Sequence, residues 1–243
     1  MKLKQAIISF WYKELEYNPI CKVNELENGL SNYFNKPFLI NNQEPFINIG
    51  MPRIVATSEN NYSFNMSLVN ANLIINLNDL EDIDNMILSI NEMMQLIYDL
   101  LIEVYDLDII YTSIKIEISE FVDNKEKIQK DILISRDNYE DFLVKTSICK
   151  DDKYYINKTI SLVKEIKVDI KLPKNAPLND NDMLTRTMLV SIDNNTSKDV
   201  KNSVLEINNR LHYNKDDEFI VKKSDIRDLL YEFKLLLKDE LGE

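Results

Sequence analysis

Between residues 110 and 119 apolar and polar side chains take turns without a break. Ile110, Thr112, Ile114, Ile116 and Ile118 share one side, and Tyr111, Ser113, Lys115, Glu117 and Ser119 share the other. The same period of two runs from Ile156 through Ile160, Leu162, Ile166, Val168 and Ile170 to Leu172, with Asn157, Thr159, Ser161, Val163, Glu165, Lys167, Asp169 and Lys171 between. Strands with one apolar and one polar face belong to antiparallel sheet, because parallel strands covered on both faces read apolar throughout. Phe142 to Cys149 is expected to pair with the second of these strands across a turn at Asp151-Asp152, and Met183 to Ile192 supplies a further strand after a polar loop.

The first half carries the same signature more briefly. Ala6, Ile8, Phe10 and Tyr12 alternate in an opening strand. Tyr62, Phe64, Met66 and Leu68, then Leu73, Ile75 and Leu77, form a hairpin with its turn at Asn70-Ala71. Helical spacing takes over at Val23, Leu26, Leu30, Tyr33 and Phe34, where Pro37 ends the helix, and a long irregular connection from Lys36 to Pro52 follows.

The strongest helix spans about 82–106, with Ile83, Ile87, Ile90, Met94, Ile97, Leu101 and Val104 spaced by four and three. Met86, Met93, Leu100 and Leu107 widen its stripe to the width that suits a helix laid on a sheet; a coiled-coil seam is narrower. Two helices are expected to close the chain. One begins near 197–199 and turns Val200, Val204, Ile207 and Leu211 inward; the other is capped by Ser224 and carries Ile226, Leu229, Leu230, Phe233, Leu236, Leu237 and Leu241.

These elements predict an α+β fold, mainly antiparallel sheet packed by amphipathic helices, with a C-terminal helix pair. They divide into two α+β halves, 1–122 and 131–243, separated by the charged and unpatterned Asp123 to Lys130, or else they form one continuous domain.

Composition narrows the function classes. Only Gly29, Gly50 and Gly242 are glycine, so no phosphate-cradling GxGxxG or GxxxxGK[ST] loop can be written. His212 is the one histidine, which removes HExxH and every two-histidine metal site. Asn, Ile and Lys make up roughly a third of the chain, far above average usage. That bias points to A/T-rich codons, as in a low-GC bacterium or one of its phages.

The net charge of −12 argues against sequence-independent nucleic-acid binding, which needs Lys and Arg to neutralise phosphates. An acidic surface attracts basic partners or mimics nucleic acid. The N-terminus lacks a signal-peptide cleavage site, and no uncharged run is long enough to span a bilayer. A cytoplasmic location with no membrane contact is expected, with Cys21 and Cys149 reduced and partly buried.

Candidate chemistry is sparse. Asp152, Glu165 and Lys167 resemble the D…(D/E)xK pattern of Mg²⁺-dependent nucleases, in which two carboxylates hold the metal and the lysine positions the attacking water. The pattern is unspecific: Asp169-Ile170-Lys171 fits its short half equally well, and these residues also suit the wet face of a strand. Asn179 to Asp182 and Asp193 to Asn195 are oxygen-rich but lack the glycine and distal glutamate of a calcium loop, and read as turns and caps. His212, with Glu206 or Asp216 near it in sequence, has no nucleophile to serve and reads as structural.

Phe10, Trp11 and Tyr12 place aromatics on both sides of one strand, so one side must meet a second layer, another subunit or a ligand. Strands followed by a terminal helix pair are similar, at the level of fold alone, to export chaperones of the SecB type, and that likeness implies a holdase alternative. The resulting expectation is a protein without catalysis or cofactor that binds a protein partner. It would be an accessory or inhibitor in bacterial host–phage conflict, with homo-oligomerisation open and Phe10, Trp11 and Tyr12 as the interface. The nuclease triad is the enzymatic alternative.

Overall fold

The structure, a computed structural model, describes residues 2–41, 48–59, 62–77, 83–121, 142–171, 189–209 and 219–242; for 83, 142, 163–171 and 189–199 it describes the backbone alone. The elements are β1 (Lys2–Tyr12), a 3₁₀ turn (Pro19–Lys22), α1 (Val23–Leu30), β2 (Leu39–Ile40), β3 (Ile54–Thr57), β4 (Tyr62–Met66), β5 (Asn70–Asn76), α2 (Ile83–Tyr105), β6 (Ile109–Phe121), β7 (Phe142–Lys150), β8 (Tyr154–Lys171), β9 (Leu189–Asn208) and α3 (Lys223–Leu241). One antiparallel sheet holds all nine strands in the order β2-β3-β4-β5-β1-β6-β9-β8-β7. The α+β architecture is the one its two-faced strands predict.

By compactness the chain divides into two units. The larger comprises 2–118, 145–159 and 203–243, and contains the three helices and most of the apolar core. The smaller comprises 119–144 and 160–202, where Leu162 and Val200 are buried and Lys201 meets Glu120 at 3.7 Å. The expected boundary at 123–130 lies outside the described residues.

Within the larger unit, alternation decides which face of the sheet is covered. Ala6, Ile8, Phe10 and Tyr12 of β1 are buried, as are Ala71, Leu73 and Ile75 of β5 and Phe64 and Met66 of β4. Register ties them together: Ile8 pairs with Leu73, and Leu73 with Phe64. α2 lies over this face, with Met86, Ile90, Met93, Met94, Ile97 and Leu101 all at most 1% exposed.

α3 runs antiparallel to α2, since Lys223 at its start meets Asp99 at 2.5 Å while Lys234 and Lys238 meet Asp84 at 3.0 and 3.3 Å. Its buried stripe is Ile226, Leu229, Leu230, Phe233 and Leu237, each such side chain contributing about 1.5–3 kcal/mol by leaving water. Lys150–Glu232 and Lys158–Glu240 ion pairs fasten it to β7 and β8. Gly242 ends it at φ 77°, the left-handed position that favours glycine.

Several expectations need correction. The segment after 197 is not a helix: β9 continues to Asn208, so one helix, not a pair, closes the described chain. Val200, Val204 and Ile207 imitate helical spacing without sharing a face, since Val204 is only half-buried between the buried Ser203 and Leu205. Within the larger unit Ser203, Leu205 and Ile207 are buried at the strand period of two, with Asn208 buried beside them. Asp193 to Asn195, read as a turn or cap, lie within β9.

α1 stops at Leu30, well before Pro37, and its last turn is closed by Tyr33 and Phe34 amides donating to the Leu30 carbonyl. The first hairpin turns at Ser67–Val69, where the Ser67 hydroxyl accepts from the Val69 and Asn70 amides; Asn70 and Ala71 are already strand. α3 begins at Lys223, with the Asp225 carboxylate accepting from the Lys222 amide, so Ser224 is inside it. Both cysteines are exposed.

The β7–β8 hairpin forms as expected. Asp151 and Asp152 have φ of 52° and 51°, and the Lys153 amide donates to the Lys150 carbonyl at 3.0 Å. Two consecutive positive-φ residues make the primed turn whose twist matches the strands it joins. Among the described residues no helix is long and apolar enough to cross a membrane.

Candidate functional site on the open sheet face

The helices cover one face of the sheet in the larger unit, and none of the described helices covers the other. It presents Ile7, Ser9 and Trp11 from β1, Asn70, Asn72 and Ile74 from β5, and Ser63 and Asn65 from β4, since these alternate with the buried set. Amides dominate: the Asn72 Nδ2 donates to Asn65 Oδ1 at 3.0 Å across paired positions.

A cavity of about 510 Å³ opens on this face, wholly inside the larger unit, lined by Ile7, Ser9, Trp11, Ile110, Tyr111, Ser113, Lys115 and Glu206. It owes its shape to a slip in β6. Ile109 is fully buried, and farther along Thr112, Ile114, Ile116 and Ile118 are buried, with Ser113 and Ser119 buried beside them, so the inward parity of the isoleucines changes after Ile109. Ile110 and Tyr111 both reach the cavity as a result. Two successive residues on one side of a strand is the mark of a bulge, a device that re-aims side chains. The sequence pattern placed Ile110 on the core side, and the structure corrects that.

Trp11 is 39% exposed and its ring lies 6.4 Å from that of Tyr111, tilted by 60°. Phe10 and Tyr12 are buried in the core, so of the three aromatics expected at an interface only Trp11 meets solvent. The Tyr12 hydroxyl donates to the Ser67 carbonyl at 3.0 Å, and burial pushes its phenol well above the ordinary range.

The polar end of the cavity is a carboxylate held on both oxygens. Glu206 Oε1 accepts from the Tyr111 hydroxyl at 3.3 Å and from Asn208 Nδ2 at 3.0 Å. Its Oε2 accepts from Asn157 Nδ2 at 3.3 Å, and Asn157 Oδ1 in turn accepts from the Ser147 hydroxyl at 2.5 Å. Lys115 is at the other polar position, where Glu117 neutralises it at 3.0 Å while also accepting from Gln5 Nε2 at 2.9 Å. The arrangement can grip a ligand with an apolar body, an affinity for aromatic faces and one polar or cationic tip.

The remaining sequence candidates fall elsewhere. Asp152 is at the exposed hairpin turn, with the Cys149 thiol 3.9 Å from its Oδ1. Glu165 and Lys167 fall on β8 in the smaller unit, and their side chains lie outside the described residues, as do all of His212, Asp216 and Asn179 to Asp182. Among the described residues no three His, Cys, Asp or Glu side chains gather as a metal set.

Sequence reasoning found Trp11 but missed its companions. Tyr111 stood among the wet positions of its strand, and Glu206 was assigned to a helix that is β9. The signal that could have found Glu206 is the alternation Leu205, Glu206, Ile207, which is strand-like once helical spacing is set aside. No protein-family model and no curated protein matches this sequence, so the chemistry of the site has to be read from the chain's own residues.

Proposed function

We propose that the chain is a binding module without catalysis, which takes a protein partner on the open face of its sheet around Trp11. The observation that carries this reading is an aromatic-walled cavity on a sheet face that none of the described helices covers. Tryptophan and tyrosine supply large contact area at small cost in side-chain entropy, and they are enriched at protein interfaces. Ser9, Asn65, Asn72, Ser113 and Glu206 interrupt the apolar surface, which favours selective recognition over a holdase that needs a continuous apolar groove. An accessory or inhibitory role in a bacterial host–phage conflict is the setting its composition suggests.

The test is a photo-reactive residue placed singly at Asn72, which pairs with the cavity residue Ser9, and at Leu88, 57% exposed on α2. Irradiation in cells that express the chain natively should give one dominant protein adduct from position 72 and none from position 88. Equal labelling at both, or none at position 72, refutes the proposal.

A further inference from the structure

We infer that the cavity receives a lysine side chain of the partner, its stem against Ile7 and Ile110, its ammonium between the rings of Trp11 and Tyr111 and on Glu206. This rests on the binding reading above and specifies its chemistry. A long apolar stem with a charged tip matches a cavity that sets Ile7, Ile110 and two aromatic rings beside a carboxylate. Aromatic faces attract cations, tryptophan most strongly. The balance of charge agrees: Lys115 is already paired with Glu117, which leaves Glu206, among the described residues of the lining, as the charge with no ion pair, on a chain of net charge −12.

The number of open acceptor positions separates lysine from arginine. A carboxylate offers about four lone-pair sites. Tyr111 and Asn208 use both on Oε1, and Asn157 uses one on Oε2, so a single site remains. A guanidinium is at its best as a two-pronged donor to both oxygens, which these fixed donors preclude. An ammonium needs only one acceptor there and can turn its other protons to the rings or to water. The carboxylate is also held by three donors before any ligand arrives, so little ordering is required on binding.

Trp11 is the sole tryptophan of the chain, so intrinsic tryptophan emission reports on this cavity alone. The 243-residue chain would be titrated with the capped tripeptide acetyl-Ala-Lys-Ala-amide, with its norleucine and arginine counterparts, and with n-butylammonium chloride. The lysine peptide should give a saturable change in emission with a midpoint below about 1 mM, a few kcal/mol of binding free energy. Norleucine, with the same stem and no charge, should bind at least about tenfold more weakly, and arginine more weakly than lysine. Glu206→Gln should lower lysine affinity about tenfold and leave the norleucine response unchanged.

No saturable change with the lysine peptide, equal responses to lysine and norleucine, or an unaltered lysine midpoint in Glu206→Gln overturns the assignment. Arginine binding as tight as lysine overturns the single-acceptor argument. Should n-butylammonium match the peptide, the ligand is a free organic cation and the polypeptide source is wrong. The peptide comparisons use the unmodified chain, so they stand even if a variant fails to fold. A protein adduct at position 72 together with silence from the lysine peptide removes the lysine assignment and leaves the binding reading intact.

Discussion

Gly29 lies in α1, where an ordinary exposed helix glycine replaced by alanine gains about 0.5–1 kcal/mol through reduced backbone freedom. Here the sign should reverse. A Cβ at this position would stand 2.4 Å from Leu100 Cδ2, 3.0 Å from its Cδ1 and 3.3 Å from its Cγ. The whole isobutyl end is crowded, so a simple rotation of one methyl does not clear the space. Overpacking of this kind costs about 1–3 kcal/mol, and subtracting the propensity gain leaves a net loss of about 0–2 kcal/mol for Gly29→Ala.

The decisive comparison is with Leu100→Ala, which removes the obstructing atoms. Leu100 is 9% exposed, so that change alone should cost about 2–3 kcal/mol, the low end for a buried leucine. In its presence Gly29→Ala should recover the normal helix gain and stabilise by about 0.5–1 kcal/mol. The coupling between the two sites is then about 1–3 kcal/mol, measurable from urea unfolding midpoints of the four proteins in a double-mutant cycle. If Gly29→Ala stabilises the unaltered chain as much as the Leu100→Ala background, α1 and α2 do not approach as closely as described and the reasoning fails.

Two further outcomes are expected. Replacing Asp151-Asp152 by Asn-Gly suits the positive φ of both positions and should raise stability by about 0.5–1 kcal/mol, read as a higher urea midpoint; a lower midpoint would show that this turn is not of the primed type. At high pH, burial, reinforced by Asp228, Asp225 and Glu232, raises the Tyr154 phenol to about 12, and burial raises Tyr12 and Tyr105 in the same direction. These phenols keep their protons in the folded chain after the unfolded chain has lost them. Stability is therefore complete below the unfolded value, near 10, and falls as pH climbs from there toward the folded values. Tyrosinate absorbance and circular dichroism followed together should show the buried phenols ionising only as the chain unfolds, and ionisation without unfolding would contradict their burial.

What could be read from the sequence followed from how regular each segment's surroundings are. β1 and α2 obey their periods because each packs one face on a continuous core, and Ala6, Ile8, Phe10, Tyr12 and the stripe of α2 are buried as their spacing requires. β6 and β9, neighbours in the sheet, are where the pattern misled. In β6 the inward parity changes within the strand and takes Ile110 off the core side. In β9 the apolar Val204, between the buried Ser203 and Leu205, completes a spacing of four and three that a periodicity argument takes for helix. Ser203, Asn208 and Asn209 are also buried in this region, polar positions that no hydrophobic pattern selects. The Asn209 side chain is engaged through its Oδ1, which accepts from the Thr112 amide at 2.8 Å. The cavity is built on these irregular strands, so its walls were the part of the molecule least open to sequence reading. Trp11 escaped that limit because β1 is regular.

The two ends of the sheet differ in a way that bears on assembly. β2 closes one end with two residues, whereas β7 closes the other with nine, and of residues 143–149 all but Val144 are exposed. A two-residue margin offers too few backbone groups to recruit another chain, and the long margin carries Lys145 and Lys150, charges that discourage indiscriminate joining. Growth by margin-to-margin addition is thus one-sided. Two copies that met along β7 would use up the available margin on each, and the union would be closed by a two-fold axis. A fibre needs a usable margin at both ends, and among the described strands this sheet has one.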